Sequence, residues 1–387
     1  MVGAARIAVV GGSLGGLTAA LLLRDLGLDV TVYERSGAEL EQRGAGIGFL
    51  PISYRYLVER SQSDLDEISI STSHIRYLDR SGRVIHEQPQ PYRFSSWNTV
   101  YRSLLRCFGR ERYLLGREMV DFRPRDGKVS IAFAGQADVD VDLLVCADGV
   151  GSRARAQLLP GLRPAYAGYV AWRGLVSETE LGAKATALID AITYYVYANS
   201  HILVYPIPGP DGSVRPGERL INFVWYRNYQ TGGDLEDLMT DSEGTLHEIS
   251  LPPRRPRAEQ LAELRATAVA RLPSRMPVLA HGDAYAYPYE SVNWTPAALF
   301  WPLFGNWTVT LWTAAGTVGC IVATFAAFPA LRRGWWAAAV LATPAHLEAV
   351  PFRPQAVASG ALAVLFCCAA WRRGHRGAAV LLGAGGQ

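Results

Sequence analysis

The sequence predicts an α/β chain: a parallel β-α-β half, an inserted and mostly antiparallel sheet, and a helical C-terminal region. Three observations carry this. Residues 6–34 read strand, glycine turn, helix, strand. Residues 164–230 are rich in Tyr, Trp, Val and Ile, with period-two alternation. Residues 291–331 contain no Asp, Glu, Lys or Arg.

The first element is the apolar run Ile7–Val10, the signature of a strand buried on both faces. Leu17 to Leu26 carry apolar residues at helical spacing, and Asp29–Tyr33 return to a strand that ends on Glu34. Between strand and helix lies Gly11-Gly12-Ser13-Leu14-Gly15-Gly16. Gly11 allows the tight turn and Gly16 allows close helix–strand packing, while Ser13 stands where a second glycine usually lets a pyrophosphate approach. This is a Rossmann-like dinucleotide fingerprint with one change. The helix N-terminus, with Leu14 in its first turn, suits a pyrophosphate. Glu34 suits a ribose diol and disfavours a 2′-phosphate. The stretch alone does not separate FAD from NAD.

The chain of 387 residues suits two or three domains, and its net charge is +3. No basic stretch is interleaved with aromatics, so nucleic acid is not implied. The five cysteines, Cys107, Cys146, Cys320, Cys367 and Cys368, have neither zinc spacing nor an even disulfide framework, so no metal site is expected. The N-terminus runs straight into the first strand, which is read as the absence of a signal peptide and a cytoplasmic N-terminal domain.

After Glu34 and Arg35 comes Arg43-Gly44-Ala45-Gly46-Ile47-Gly48, which suits backbone laid against a flat cofactor with Arg43 on a phosphate or ribityl oxygen, or an ordinary turn. Residues 68–90 read as hairpin strands around Asp79-Arg80-Ser81-Gly82. Trp97 to Phe108 read as a helix with Arg102 near its start, either a cofactor contact or a solvated residue. Strands follow over 117–145, ending in Val141–Cys146 and opening into Ala147-Asp148-Gly149-Val150-Gly151-Ser152-Arg153-Ala154-Arg155. There Asp148 suits sugar hydroxyls and Arg155 suits bracing of the turn. In the sheet region, Tyr195, Tyr197, His201, Trp225 and Tyr226 are candidates for an aromatic pocket, and His201 is a candidate proton acceptor. Each is equally at home as sheet core.

Taken together, the glycine turn, Glu34, Arg43 in RGAGI, Arg102, the ADGxxSxxR run at 147–155 and Tyr169–Gly174 resemble the FAD-dependent aromatic hydroxylases of the p-hydroxybenzoate hydroxylase type. GGSLGGL, RGAGIGFLP and NSHILVYPIPGPDG are similar to the 2,6-dihydroxypyridine 3-monooxygenase branch. The resemblance covers about residues 5–270. It implies FAD held by Gly11, Gly12, Ser13, Leu14, Gly16, Glu34, Arg35, Arg43, Arg102 and Asp148, with NAD(P)H and O₂ as co-substrates. The implied activity is hydroxylation of a hydroxylated aromatic or N-heteroaromatic ring such as a dihydroxypyridine. The implied division is an FAD-binding domain over 1–163, a substrate sheet over 164–235, a connection over 236–295 and a helical region over 296–387.

The resemblance fails at the third flavin motif. Gly282-Asp283-Ala284 is followed by Pro288 but by no glycine loop, so it is a degenerate remnant or a chance match. Beyond it, 307–328 is a charge-free run long enough to cross about 30 Å of hydrocarbon, and 335–350 and 355–371 are further candidate spans. Seven of the ten tryptophans fall between Trp294 and Trp371, as in an interfacial belt. Arg332-Arg333 and the cluster Arg372–Arg376 prefer the cytoplasmic side, which opposes a cytoplasmic start for three spans. The alternatives to a monooxygenase are therefore a non-catalytic fusion or truncated hydroxylase with a membrane-inserted tail, and an NAD-linked oxidoreductase using the glycine turn alone.

Overall fold

The computed structural model describes residues 5–41, 46–61, 63–161, 166–273, 276 and 283–290. In chain order the strands are β1 (Arg6–Val10), β2 (Asp29–Tyr33), β3 (Gly46–Gly48), β4 (Ile70–Leu78), β5 (Val84–Ser96), β6 (Tyr113–Leu114), β7 (Met119–Arg125), β8 (Lys128–Phe133), β9 (Val139–Val141), β10 (Leu143–Cys146), β11 (Tyr166–Ser177), β12 (Ala191–Tyr197), β13 (Ser200–Ile207), β14 (Leu220–Asn228) and β15 (Asp283–Glu290). The helices are α1 (Leu14–Asp25), α2 (Pro51–Glu59), α3 (Leu65–Ile68), α4 (Trp97–Phe108), α5 (Arg153–Leu158), α6 (Glu178–Leu181), α7 (Gly233–Met239) and α8 (Ala258–Arg271). They group into two units, one of residues 5–40 with 104–161 and one of 41–103 with 166–290, and the boundary falls within α4.

The first unit holds a four-stranded sheet in the order β10-β1-β2-β6. β1 is central and parallel to both β2 and β10. Its apolar run is needed because Ile7, Ala8, Val9 and Val10 are all buried. Leu17, Ala20 and Leu21 of α1 are fully buried as well. The meander β7-β8-β9 forms a separate three-stranded sheet. Its Phe122, Ile131 and Phe133 share a core with Ala8, Tyr33 and Leu144.

The second unit is built on an eight-stranded sheet in the order β15-β11-β14-β13-β12-β4-β5-β3. The pairing is antiparallel except between β12 and β4. Period-two alternation gives each strand two faces. Trp172, Ile202, Phe223 and Trp225 pack on one face with Leu238 and Met239 of α7 and Leu264 and Ala268 of α8. Phe94, Ala171, Ile192, Tyr205, Ile207 and Val224 cluster on the other. Phe94 of β5 stacks on Tyr205 of β13 with ring centroids 4.2 Å apart, although β12 and β4 lie between those strands. The sheet therefore curls over this second face.

The expected hairpin at 68–90 is β4–β5, and the helix at 97–108 is α4. The sheet draws β3, β4 and β5 from before residue 163 as well as β11 to β15 from after it. Asp283 is the first residue of β15, paired opposite Leu175 of β11. A remnant of the third flavin motif would instead end a strand and open a helix. The alternating DAYAYPYE sequence makes an edge strand here. The candidate spans at 307–328, 335–350 and 355–371, and the whole of 296–387, lie outside the described residues. Among the described residues no helix is long and apolar enough to cross a membrane.

Candidate functional site

In the first unit the site is the turn between β1 and α1. Gly11 has φ of +100°, a region L side chains avoid, and a Cβ there would stand 2.1 Å from the Ala147 carbonyl oxygen. A Cβ on Gly16 would stand 1.8 Å from the Gly11 carbonyl oxygen. Gly15 is exposed, and a Cβ on it would meet nothing within 4 Å. Ser13 occupies the N-cap position in extended backbone, but its hydroxyl makes no capping bond. The first-turn N–H groups from Leu14 onward therefore have no partner within the helix, and the turn carries no acidic residue. The geometry is an anion cradle at the positive end of a 12-residue helix.

Glu34 is 5% exposed and its carboxylate is shared. One oxygen accepts the Gly12 N–H at 2.8 Å and the other the Ser36 N–H at 2.9 Å. The acid at the end of β2 thus holds the turn after β1, and each oxygen keeps a further lone pair for a diol. Arg35 follows it, exposed. On the other side of the turn, the Tyr113 hydroxyl donates to the Gly12 carbonyl at 2.9 Å, buried. Sequence reasoning missed Tyr113, because it is 101 residues away and reaches Gly12 only through the pairing of β6 with β2.

Asp148 sits beyond β10. One carboxylate oxygen accepts the Ser152 hydroxyl at 2.6 Å and the other the Ala154 N–H at 3.1 Å. Ser152 caps α5 by accepting the Arg155 N–H at 2.9 Å, and the Arg155 guanidinium donates to the Val150 carbonyl. The ADGxxSxxR run is therefore a self-braced turn.

The second unit holds the remaining expected residues. Arg102 donates to Glu41 at 3.1 Å and to the Pro210 carbonyl at 3.0 Å. Arg43 lies outside the described residues. The five pocket candidates divide between the two sheet faces, His201 and Tyr226 on one and the other three on the opposite one. Trp225 is fully buried on the helix-covered face, donating to the Ser200 hydroxyl at 3.0 Å and to the Tyr197 hydroxyl at 3.3 Å. Tyr195 stacks on Tyr197 at 5.4 Å beside it. These three are core packing against the helices, which corrects their reading as one pocket with His201. Odd positions of β12 and β14 face the helices, and His201 is paired with the even positions Val196 and Tyr226.

His201 stacks on Tyr226 at 4.5 Å, and Tyr169 meets Tyr226 edge-on at 5.7 Å. Tyr194 stacks on Tyr77 at 5.2 Å. Tyr77, Tyr92, Tyr194 and Tyr226 are half-buried, so the curled face is an aromatic trough. Burial pushes the His201 imidazolium down in pKa and the Tyr194 phenol up. Sequence reasoning named His201 and Tyr226 but not Tyr194. Its even register in β12, shared with Ile192, was the usable signal.

A Rossmann-like cradle on a parallel sheet and an aromatic trough on a curled antiparallel one define an α/β protein of the dinucleotide-binding type. The FAD binding domain-like family profile matches residues 166–284. The chain is 39% identical over 255 residues to 2,6-dihydroxypyridine 3-monooxygenase of Paenarthrobacter nicotinovorans, covering 64% of this chain and 63% of that relative. It is 30% identical over 275 residues to 3-amino-4-hydroxybenzoate 2-monooxygenase PtnB3 of Streptomyces platensis, covering 62% and 67%. The structure of 2,6-dihydroxypyridine-3-hydroxylase from Arthrobacter nicotinovorans superposes with a TM-score of 0.70 at 33% identity, over 74% of this chain and 73% of that one. The chain belongs to the FAD-binding monooxygenases.

Proposed function

We propose that this chain is an FAD-dependent monooxygenase that hydroxylates a hydroxylated aromatic or N-heteroaromatic ring, dihydroxypyridine-like, with NAD(P)H and O₂. The observation that carries the reading is the cradle at Gly11–Gly16. Its two closed glycines pack strand against helix, its first-turn N–H groups have no partner within the helix, and the space beside Gly15 is open. The residues fit FAD on that ground.

The Leu14, Gly15 and Gly16 N–H groups would hold the pyrophosphate and Glu34 the adenosine ribose. By resemblance, Arg35, Arg43, Arg102 and Asp148 complete the binding set. When bound, FAD supplies hydride acceptance from NAD(P)H and oxygen transfer to the ring. The chain's own part is orientation and proton handling. Tyr194, Tyr226 and His201 offer faces on which a planar ring stacks. His201, whose burial favours the neutral imidazole, would accept a proton from a ring hydroxyl.

The test is the visible spectrum of the purified full chain with added FAD, followed by NAD(P)H oxidation with and without 2,6-dihydroxypyridine. Flavin bands near one equivalent and ring-dependent oxidation are expected. A colourless protein that does not take up FAD overturns the reading. That result would leave a non-catalytic fusion or truncated hydroxylase, and the strand position of Asp283, where the third flavin motif would open a helix, supports that rival.

A further inference from the structure

We infer that Asn222, together with Tyr205 and Arg173, is a positioning residue that sets the backbone of the Gly46 segment for the cofactor. The inference rests on the FAD reading above and concerns residues outside the FAD-binding set named there.

Gly46 opens β3, an edge strand whose one neighbour among the described residues is β5. An edge strand leaves backbone groups without a ladder partner, and when buried these need another. Here side chains from the far strands supply it. The Gly46 N–H donates to Asn222 Oδ1 at 2.9 Å, buried. The Gly46 carbonyl accepts from the Tyr205 hydroxyl at 3.0 Å and from Arg173 at 3.3 Å. The three side chains come from β14, β13 and β11, and they meet β3 because the sheet curls.

The contact is closed sterically as well. A Cβ on Gly46 would lie 2.8 Å from Ile207 and Tyr205 and 2.9 Å from Asn222. Asn222 is fully buried, and its Nδ2 has no partner among the described residues. Its one bond to a described residue is the one to Gly46, so the fold retains a buried amide at the centre of a sheet for this backbone contact. Such a group is costly unless its hydrogen bond is made. Gly46 belongs to the stretch Arg43-Gly44-Ala45-Gly46-Ile47-Gly48, whose sequence suits backbone laid against a flat cofactor. Holding both Gly46 backbone groups fixes the backbone at the start of β3. Asn222 thus acts on the cofactor through the backbone.

The experiment compares FAD dissociation constant, flavin absorption maxima and apo-protein melting midpoint in the full chain. The variants are Asn222→Leu, Tyr205→Phe and the control Tyr229→Phe. Tyr229 accepts a bond from Trp172 at 2.9 Å on the helix-covered face. Tyr205→Phe, which keeps the ring on Phe94, is expected to weaken FAD about fivefold, the equivalent of one ordinary hydrogen bond. Asn222→Leu is expected to weaken FAD more and to shift the flavin bands, and Asn222→Asp, which keeps an acceptor, to recover part of the loss. Tyr229→Phe is expected to lower the melting midpoint while leaving FAD affinity and bands unchanged. Folded Asn222→Leu or Tyr205→Phe protein with wild-type FAD affinity and bands overturns the inference while the FAD reading stands. A wild-type chain that takes up no FAD overturns both.

Discussion

The Tyr113 hydroxyl donates to the Gly12 carbonyl at 2.9 Å, and its ring fills the space that a Cβ on Gly12 would need, 2.3 Å from the hydroxyl oxygen. Gly12 is thus a glycine because a tyrosine from β6 stands against it. Tyr113→Phe is expected to cost about 1 kcal/mol of stability, the net worth of one hydrogen bond. Gly12→Ala is expected to cost more, because the Tyr113 ring must move. Urea denaturation of the apo-protein checks both, and a Gly12→Ala protein as stable as wild type would remove Tyr113 as the reason for the glycine.

Gly15 and Gly16 are expected to separate stability from binding. Gly16→Ala drives a Cβ into the Gly11 carbonyl and is expected to lower stability and abolish FAD uptake. Gly15→Ala meets no atom and replaces a glycine in a helix, a gain of up to about 1 kcal/mol. The same Cβ stands on the open side of the cradle, so FAD affinity is expected to fall while melting rises. Thermal melts with and without FAD read both quantities.

Glu34→Gln replaces a two-oxygen acceptor by one oxygen and one NH₂ group. Glu34 accepts N–H bonds from both Gly12 and Ser36, so the amide leaves one N–H facing an N–H. A loss of about 1–3 kcal/mol is expected in denaturant titrations, as for a buried donor left without its acceptor. Glu34→Asp, too short to span both donors, is expected to lose one bond and fall between.

The pair Arg219–Glu178 gives the acid limb of the stability profile a specific contributor. Arg219 donates to both Glu178 oxygens at 2.8 Å, and the Gly217 N–H donates to one of them at 2.8 Å. The Arg219 hydrogen bonds hold the Glu178 carboxyl below its ordinary value of 4.5. A carboxyl held lower in the folded state stabilises above its unfolded value and loses that contribution as pH falls through the folded value. Melting midpoints measured from about pH 6 down to about pH 3 are expected to fall less steeply in Glu178→Gln than in wild type. Parallel profiles would show that the pair has no part in acid sensitivity.

How much of this was legible in the sequence depends on the range of the interaction. The strand–turn–helix–strand start, the β4–β5 hairpin and α4 were readable because each is set by periodicity and turn residues within a dozen positions. The bracing of Asp148 by Ser152 was within reach for the same reason, at a separation of four residues. The role of Tyr113 was not, since nothing near it specifies a contact 101 residues away.

The sequence by itself determined the β-α-β cradle, the acid at the end of β2 and the alternation that makes the aromatic strands, because those follow from local sterics and the period of the chain. Only the tertiary structure decided which face each aromatic takes, and so placed Trp225 under the helices and His201 in the trough. It alone brought Arg173, Tyr205 and Asn222 to Gly46. The physical reason is that a curled sheet converts distant positions in strand order into neighbours, and curvature comes from pairing across the whole sheet rather than from any one strand.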